Sequence, residues 1–338
     1  MFKKQKQPAV VAKASHVVLI GGGTGSFALL GALKDHFDQV SVLVNMADSG
    51  GSTGVLRDEL GVLPPGDVRQ CLVALSEAPE EVRELFNFRF PSGSLAGHAF
   101  GNIFLSAVEK MTDNFNEAVR LAGDILQIRG QVIPITLENC QLVLEQGDQT
   151  IVGEYAVAQT TIPAGESPKL ALRPDAAINP DAAAAIASAD LLVIAPGNLY
   201  ASLAPALLVD GVAAAIQLSK AKKAYVCNLV NKPEHTANYA VHDYATAIER
   251  YIGAGQLGYV LYNVDHPSAD VLKNYALEQE YPVAVEQTAL AAAHYTAIPG
   301  NFLSRRAVLP NKNDHLLKRS LIRHDGEAIA QTLRSLLG

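Results

Sequence analysis

The residues most able to do chemistry stand close to the amino terminus, where Gly21-Gly22-Gly23-Thr24-Gly25 separates an apolar β-branched run, residues 16–20, from a stretch with helical spacing, residues 26–37. Gly23-Thr24-Gly25-Ser26-Phe27-Ala28 matches the pattern GxGxx(G/A) in the context it needs, after a strand and at the start of a helix. Glycines allow positive φ and close backbone approach, and the free N–H groups of a helix start favour a phosphate. An ordinary strand-to-helix turn would use the same residues. The pattern therefore points to a phosphate-bearing ligand without specifying the nucleotide.

An NAD site calls for an acid at the end of the second strand, but that strand, residues 40–44, is followed by Asn45, and Asp48 lies farther on. This counts against a dehydrogenase. No GxxxxGK[ST] follows any strand, which counts against a P-loop NTPase. The stretch Asp48-Ser49-Gly50-Gly51-Ser52-Thr53-Gly54 superficially resembles the surroundings of a serine-protease nucleophile, yet neither a partner histidine nor the required fold context accompanies it. Its glycines and hydroxyls suit a second anion-binding nest, a mobile lid or a plain polar loop, with Asp48 available to a metal or a hydroxyl.

Pro64-Pro65-Gly66-Asp67-Val68-Arg69 reads as a rigid turn into a helix. Asp67 either caps that helix or touches the ligand, and Arg69 can clamp a phosphate. Asp48 and Asp67, on loops above one sheet, can share a divalent cation such as Mg²⁺. His98 and Asn102 are four residues apart at a helix start, so they can face one side. No zinc-ligand spacing is found among the nine histidines. Asn198 and Tyr200 follow one predicted strand and Asn228 another, at the strand ends where open α/β sheets collect ligands; Pro196-Gly197-Asn198 is equally a common turn.

The elements that must position these residues alternate strand and helix. The periodicity predicts a βαβ unit over 16–44, a long functional loop over 45–67 and helices over 67–75, 80–88, 99–111 and 115–128. Short strands follow at 131–135, 141–145 and 151–156, the last two joined by a hairpin at Gln146-Gly147-Asp148. Alternation then resumes with strands at 191–195, 224–229 and 257–262 and a terminal helix at 326–337. The fold class is α/β, a mostly parallel sheet covered on both faces with a small antiparallel β insert. The domain reading is a disordered tail over 1–14 and a single domain over 15–338, with a helical region at about 67–128 and the insert at about 131–174.

The bulk composition narrows the function classes. In 338 residues, 49% hydrophobic content supports a sizeable core, and 6% aromatics without tryptophan suits layered α/β structure. A net charge of −7 gives no long-range attraction for nucleic acid. Cys71, Cys140 and Cys227, odd in number and dispersed, read as reduced thiols of a cytoplasmic protein. The uncharged run 191–209 is long enough to span a bilayer, but Pro196, Gly197 and Pro205 break it into a strand, a loop and a second short segment, so no membrane insertion is predicted. A homodimer is the default expectation for a soluble protein.

Taken in order, residues 21–25, 45–60, 64–76, 95–102, 195–202, 226–239 and 322–325 resemble the motif series of the gluconeogenesis factor family, the YvcK-like, UPF0052 branch of the CofD-like superfamily. The resemblance spans nearly the whole chain. It implies a Rossmann-like three-layer α/β/α domain that binds a nucleotide sugar such as UDP-N-acetylglucosamine and regulates cell shape and cell-wall synthesis in step with carbon metabolism. The related enzyme branch transfers a phospholactyl group from an activated nucleotide to a deazaflavin precursor with magnesium, which leaves a 2-phospho-L-lactate transferase-like activity as the alternative. By resemblance, Gly22, Gly23, Thr24 and Gly25 contact the diphosphate, Asn45 and Asp48 lie beside it, and Asp67 and Arg69 complete the pocket. Asn198, Tyr200, Asn228 and Arg323 match further family motifs linked to the nucleotide sugar. If the chain is an enzyme, Asp48 and Asp67 are its catalytic acids. The chain departs from the family pattern at Ser49, where a second Asp is usual, at Val55, at Asn198 and at Gly326, where some relatives carry a phosphorylatable Thr.

Overall fold

The first strand, β1 (His16–Ile20), has no polar face beyond its first residue, and Val17, Val18 and Leu19 are 0% exposed. A strand apolar on both faces belongs in the middle of a covered parallel sheet, where each such side chain contributes about 1.5–3 kcal/mol by leaving water. The computed structural model, which describes residues 15–163, 165–305 and 321–338, places it there. β1 is flanked by β2 (Gln39–Val44), itself paired with β3 (Gln131–Pro134). Three strands of an antiparallel insert follow, β4 (Gln141–Gln146), β5 (Gln149–Val152) and β6 (Lys169–Arg173), in the order β5-β4-β6. The main sheet resumes with β7 (Leu191–Ile194), β8 (Lys222–Val226), β9 (Tyr259–Asn263) and β10 (Thr296–Gly300).

The seven main strands are all parallel, in the order β10-β9-β8-β7-β1-β2-β3, with helices on both sides. From β1 the chain first builds outward to β2 and β3, then crosses back to add β7 through β10 on the other flank. The connections leave β1 and β7 in opposite directions, which opens a crevice at the carboxyl ends of these two strands.

Three sequence expectations change. The long loop 45–67 contains a helix, α2 (Gly51–Leu60), the second after α1 (Gly23–His36). Thr53, Leu56 and Arg57 form its buried side, and Gly61 ends it at φ 62°. Hydroxyls and glycines hid the helical spacing. Residues 131–134, assigned to the insert from sequence, pair with β2 and form an edge of the main sheet, so the insert begins at β4. Residues 151–156 divide between β5 and a short helix. The helical region follows as α3 (Gly66–Leu75), α4 (Glu80–Asn87), α5 (Phe100–Thr112) and α6 (Phe115–Leu126), and α7 (Glu154–Ala158) is the short helix of the insert. The run 191–209 becomes β7, a turn, a π-helical turn over Leu199–Leu203 and the short helix Ala204–Leu208. Among the described residues no helix is long and apolar enough to cross a membrane. The segment 1–14 lies outside the described residues.

Candidate functional site

The glycine-rich turn leaves β1 at the switch between the two flanks. Gly22 caps α1 with no side-chain cap, and no acid lies in the first turn of α1. Its leading amides therefore depend on partners from outside the helix. Gly23 has φ 64°, a backbone conformation that L side chains rarely adopt. Gly25 lies so close to Pro196, in the turn after β7, that a Cβ would overlap the proline carbonyl oxygen. The two strand-end turns thus touch across the crevice.

Asp67 is brought to the same place from α3. That helix is capped at Pro65, and the Asp67 side chain makes no cap; instead it accepts the Gly23 amide. Its carboxylate sits against Gly22, where any Cβ would meet Oδ2. Burial, then the charges of Asp48 and Glu154, raise its pKa well above the ordinary carboxylate range, against the opposing pull of Arg69. Asp48 accepts the Gly50 amide at 2.9 Å and the Thr53 hydroxyl, and burial raises its pKa too. Glu154, on α7 of the insert, is pushed up to about 7 by burial and by Asp48. Three carboxylates from three separate segments thus interact beside the amino-terminal end of α1.

Glu154 is the principal residue that sequence reasoning missed. Ser49 Oγ accepts the Tyr155 amide at 3.1 Å, supplying from the loop the cap that Gly153 cannot. Ser202 Oγ donates to Glu154 Oε1 at 3.4 Å. Ser49 therefore caps the helix that delivers this carboxylate from the insert. No local motif marks Glu154, because its neighbours in the site, Asp48 and Ser202, stand on other elements far from it in sequence.

Arg69 is engaged within the protein. Its Nε donates to Asn102 Oδ1 at 2.9 Å and its Nη1 to Asn87 Oδ1. Asn102 in turn donates to Ser52 Oγ at 3.3 Å, and His98 Nδ1 lies 2.9 Å from the same hydroxyl. The expected pairing of His98 and Asn102 on one side is realised, with the start of α2 as their common partner. Asn45 is buried at the end of β2 and accepts the Ala47 amide at 3.1 Å, shaping the loop that leads to Asp48.

On the other flank, Asn198 Oδ1 accepts the Ala201 amide at 3.2 Å and so caps the π-helical turn. Tyr200, almost fully buried, shares a 2.7 Å hydrogen bond with Tyr239. Asn228 clamps Gly197 from both sides, donating to its carbonyl at 2.8 Å and accepting its amide at 3.3 Å. Next to Asn228, at the ends of β8 and β9, a cavity of about 510 Å³ is bounded by Leu229, Tyr262, Asn263, Val283 and Gln287. Arg323 is half-buried, and its carbonyl accepts the Ser304 amide at 2.8 Å. His324 beside it donates to Cys227 O at the end of β8, 3.0 Å away. The helix that follows, Gly326–Ser335, lies against α1, with Gly326 so near Ala28 O that a Cβ would overlap it. A larger cleft of about 1290 Å³ opens at the opposite end of the strands, past His16, Gln39 and Gln131, and shares none of these residues.

Residues 17–303 match the family model described as 2-phospho-L-lactate transferase CofD. A gluconeogenesis factor of Bacillus subtilis is 34% identical over 95% of this chain and 98% of its own length. A Nostoc relative is 39% identical over 95% of this chain and 68% of its own length. The crystal structure of a UPF0052 family protein from Bacillus halodurans superposes with a TM-score of 0.86 at 34% identity, covering 95% of this chain and 99% of that one. The chain belongs to the CofD family, in the branch of the gluconeogenesis factors.

Proposed function

We propose that this protein binds a nucleotide sugar of the UDP-N-acetylglucosamine type at the crevice between β1 and β7 and acts as a regulator that links carbon metabolism to cell shape and cell-wall synthesis. One observation carries the binding reading. At Gly22 and Gly25 the backbone of the strand-to-helix turn has no room for a Cβ, and the first-turn amides of α1, of which Asp67 takes that of Gly23, lie at the switch point where such folds hold diphosphates. The neighbouring cavity beside Asn228 has room for a nucleoside, and Arg323 lies on the segment anchored to the end of β8.

Magnesium fits this site in charge. Asp48, Asp67 and Glu154 are hard oxygen donors whose mutual repulsion a divalent cation would relieve. Among the described residues no three His, Cys, Asp or Glu side chains form a ready-made metal cage. Mg²⁺ commonly completes its shell with phosphates and waters, so Asp48 and Asp67 would hold it jointly with the ligand.

The second reading is a transferase of the 2-phospho-L-lactate type, favoured by the same acids, which would let Mg²⁺ stabilise charge on a transferring phosphate. Calorimetric titration with UDP-N-acetylglucosamine, UDP-glucose, GDP and NAD, with and without Mg²⁺, tests both. Selective UDP-sugar binding without turnover supports the regulator. Mg²⁺-dependent preference for GDP moves the assignment to the transferase, and selective NAD binding overturns both.

A further inference from the structure

Besides its direct neighbours, the site is framed by two pieces that no hydrogen bond of the main sheet holds together: α7, which carries Glu154, and the turn after β7, whose Pro196 closes on Gly25. His235 spans them. Its Nε2 lies 3.0 Å from Val157 O on α7, and its Nδ1 lies 2.8 Å from Asn198 Oδ1 at the head of the turn. A backbone carbonyl can only accept. Asn198 Oδ1 is also an acceptor here, because it already receives the Ala201 amide at 3.2 Å. Both contacts are therefore made together only by a ring that donates from both nitrogens.

We infer that His235 is a proton-dependent positioning residue of this site: beside the Ser202–Glu154 hydrogen bond, its ring adds a second tie between the Glu154 helix and the Asn198 turn, and this tie is complete only when both ring nitrogens carry hydrogen. A neutral ring keeps one N–H. With the proton on Nε2, the Nδ1 lone pair faces the Asn198 oxygen; the Asn198 amide must then rotate to present its NH₂, and the Ala201 amide loses its cap. With the proton on Nδ1, the Nε2 lone pair faces Val157 O and α7 loses the His235 anchor, keeping those of Ser49 and Ser202. The protonation state thus selects between two arrangements of the elements that frame the ligand.

The surroundings set the direction. Lys232 and Glu234 flank the ring on its own segment, Glu154 is the carboxylate of the facing helix, and Tyr200 packs edge-to-face at 5.9 Å. Burial is the largest influence and lowers the His235 pKa, outweighing Glu234 and the carbonyls of Val157 and Thr160. The doubly anchored state therefore forms as pH falls below neutrality. An anionic ligand in the adjacent crevice favours the same state, since it favours a nearby cation. Only this last step rests on the nucleotide-sugar reading.

The test has one arm without ligand and one with it. In the free protein, ¹⁵N shifts of the His235 ring and hydrogen exchange at the Ala201 amide are followed from about pH 5 to about pH 8, corrected for the intrinsic exchange rate. Both nitrogens should be protonated at the acid end, with Ala201 protected about tenfold more strongly than at the alkaline end. His235→Gln should remove the pH dependence. Asn198→Asp keeps an acceptor for Ala201 and adds a charge that favours the imidazolium, so it should move the transition up by about one pH unit. Ala201 protection that ignores pH in the wild type, or an unmoved transition in Asn198→Asp, overturns the inference. In the second arm UDP-N-acetylglucosamine is titrated at both pH values, and its affinity should follow the Ala201 protection. No binding to the wild type at either pH overturns the nucleotide-sugar reading, and the exchange arm still decides the role of His235.

Discussion

The carboxylate of Asp67 rests on Gly22 and accepts the amide of Gly23, so the positive end of α1, where a phosphate would sit, already faces an acid. With Asp48 and Glu154 beside it, the cradle has mixed character: amides that attract an anion and carboxylates that repel it. A diphosphate entering there needs compensation by a cation or by protons.

Replacing the acid separates these terms. In Asp67→Asn the repulsion exerted by the ionised carboxylate is gone while an oxygen remains to accept the Gly23 amide, so the two proteins are compared at a pH above the raised Asp67 pKa. Diphosphate binding without Mg²⁺ should strengthen by about tenfold or more, and the enhancement by Mg²⁺ should shrink. Calorimetry in the presence and absence of Mg²⁺ reads both effects; a variant that keeps the full Mg²⁺ enhancement would show that Asp67 does not govern it. If the protein is a transferase, the same substitution should abolish turnover while nucleotide binding persists.

Glu154 gives a pH signature to the free protein. A carboxyl whose pKa is raised in the folded state binds its proton more tightly when folded, so its ionisation costs stability as pH rises from the unfolded value near 4.5 to the folded value of about 7. Glu154→Gln should leave stability near pH 4 little changed and raise it above pH 7, by up to about 3 kcal/mol. Denaturant unfolding of both proteins across this range checks the sign. A Gln variant that is less stable than the wild type above pH 7 would mean that the carboxylate is compensated.

Much of the scaffold could be read from the chain because its signals are local. Val17 to Ile20 are apolar on both faces, and the turn after them needs Gly23 for its φ, so strand, turn and helix follow from adjacent residues. Asn45, Asp48 and Asp67 each follow a strand or open a helix near the same end of the sheet, which is legible locally, and the structure brings Asp48 and Asp67 together beside that turn. The remainder depended on contacts distant in sequence. α2 was obscured because Gly50, Gly51 and Gly54 mimic a loop, although Gly54 is glycine because Ser49 O approaches it. A short apolar strand such as β3 does not reveal its partner in sequence, and only pairing with β2 separates it from the insert. The sequence points Arg69 toward a phosphate, and the two asparagines that its guanidinium also engages, on α4 and α5, are too distant in sequence to be foreseen. Glu154 and His235 carried no pattern, since one acts through Ser49 and Ser202 and the other through Val157 and Asn198.

The clamp on Gly197 is a second point of attack. Asn228 uses both ends of its amide on one glycine, so Asn228→Ala should release the turn after β7 and leave partly buried backbone groups without their Asn228 partner. The expected loss is about 1–3 kcal/mol of stability, together with weaker ligand binding. Asn228→Asp is the control: it keeps the acceptor for the Gly197 amide but sets a carboxylate against the Gly197 carbonyl, so it should not rescue. Thermal unfolding with and without UDP-N-acetylglucosamine measures both quantities, and a stable, fully binding alanine variant would show that the clamp is dispensable.

Gly25 offers the sharpest test of the crevice itself. Helix propensity alone predicts that Gly25→Ala in α1 stabilises the protein by up to about 1 kcal/mol, since alanine is the better helix former. The structure predicts the opposite. A methyl group there overlaps Pro196 O, a backbone atom that cannot swing aside as a side-chain tip would. Overpacking of this kind costs about 1–3 kcal/mol, and relief requires the β1 and β7 turns to part. Parting them widens the gap that the proposed diphosphate would bridge, so ligand affinity should fall along with stability. Gly31→Ala, on the same helix with open space around its Cβ position, isolates the propensity term and should be neutral or stabilising with binding intact. Equal behaviour of the two variants in thermal unfolding and ligand titration would refute the close approach of the two turns as the basis of the site.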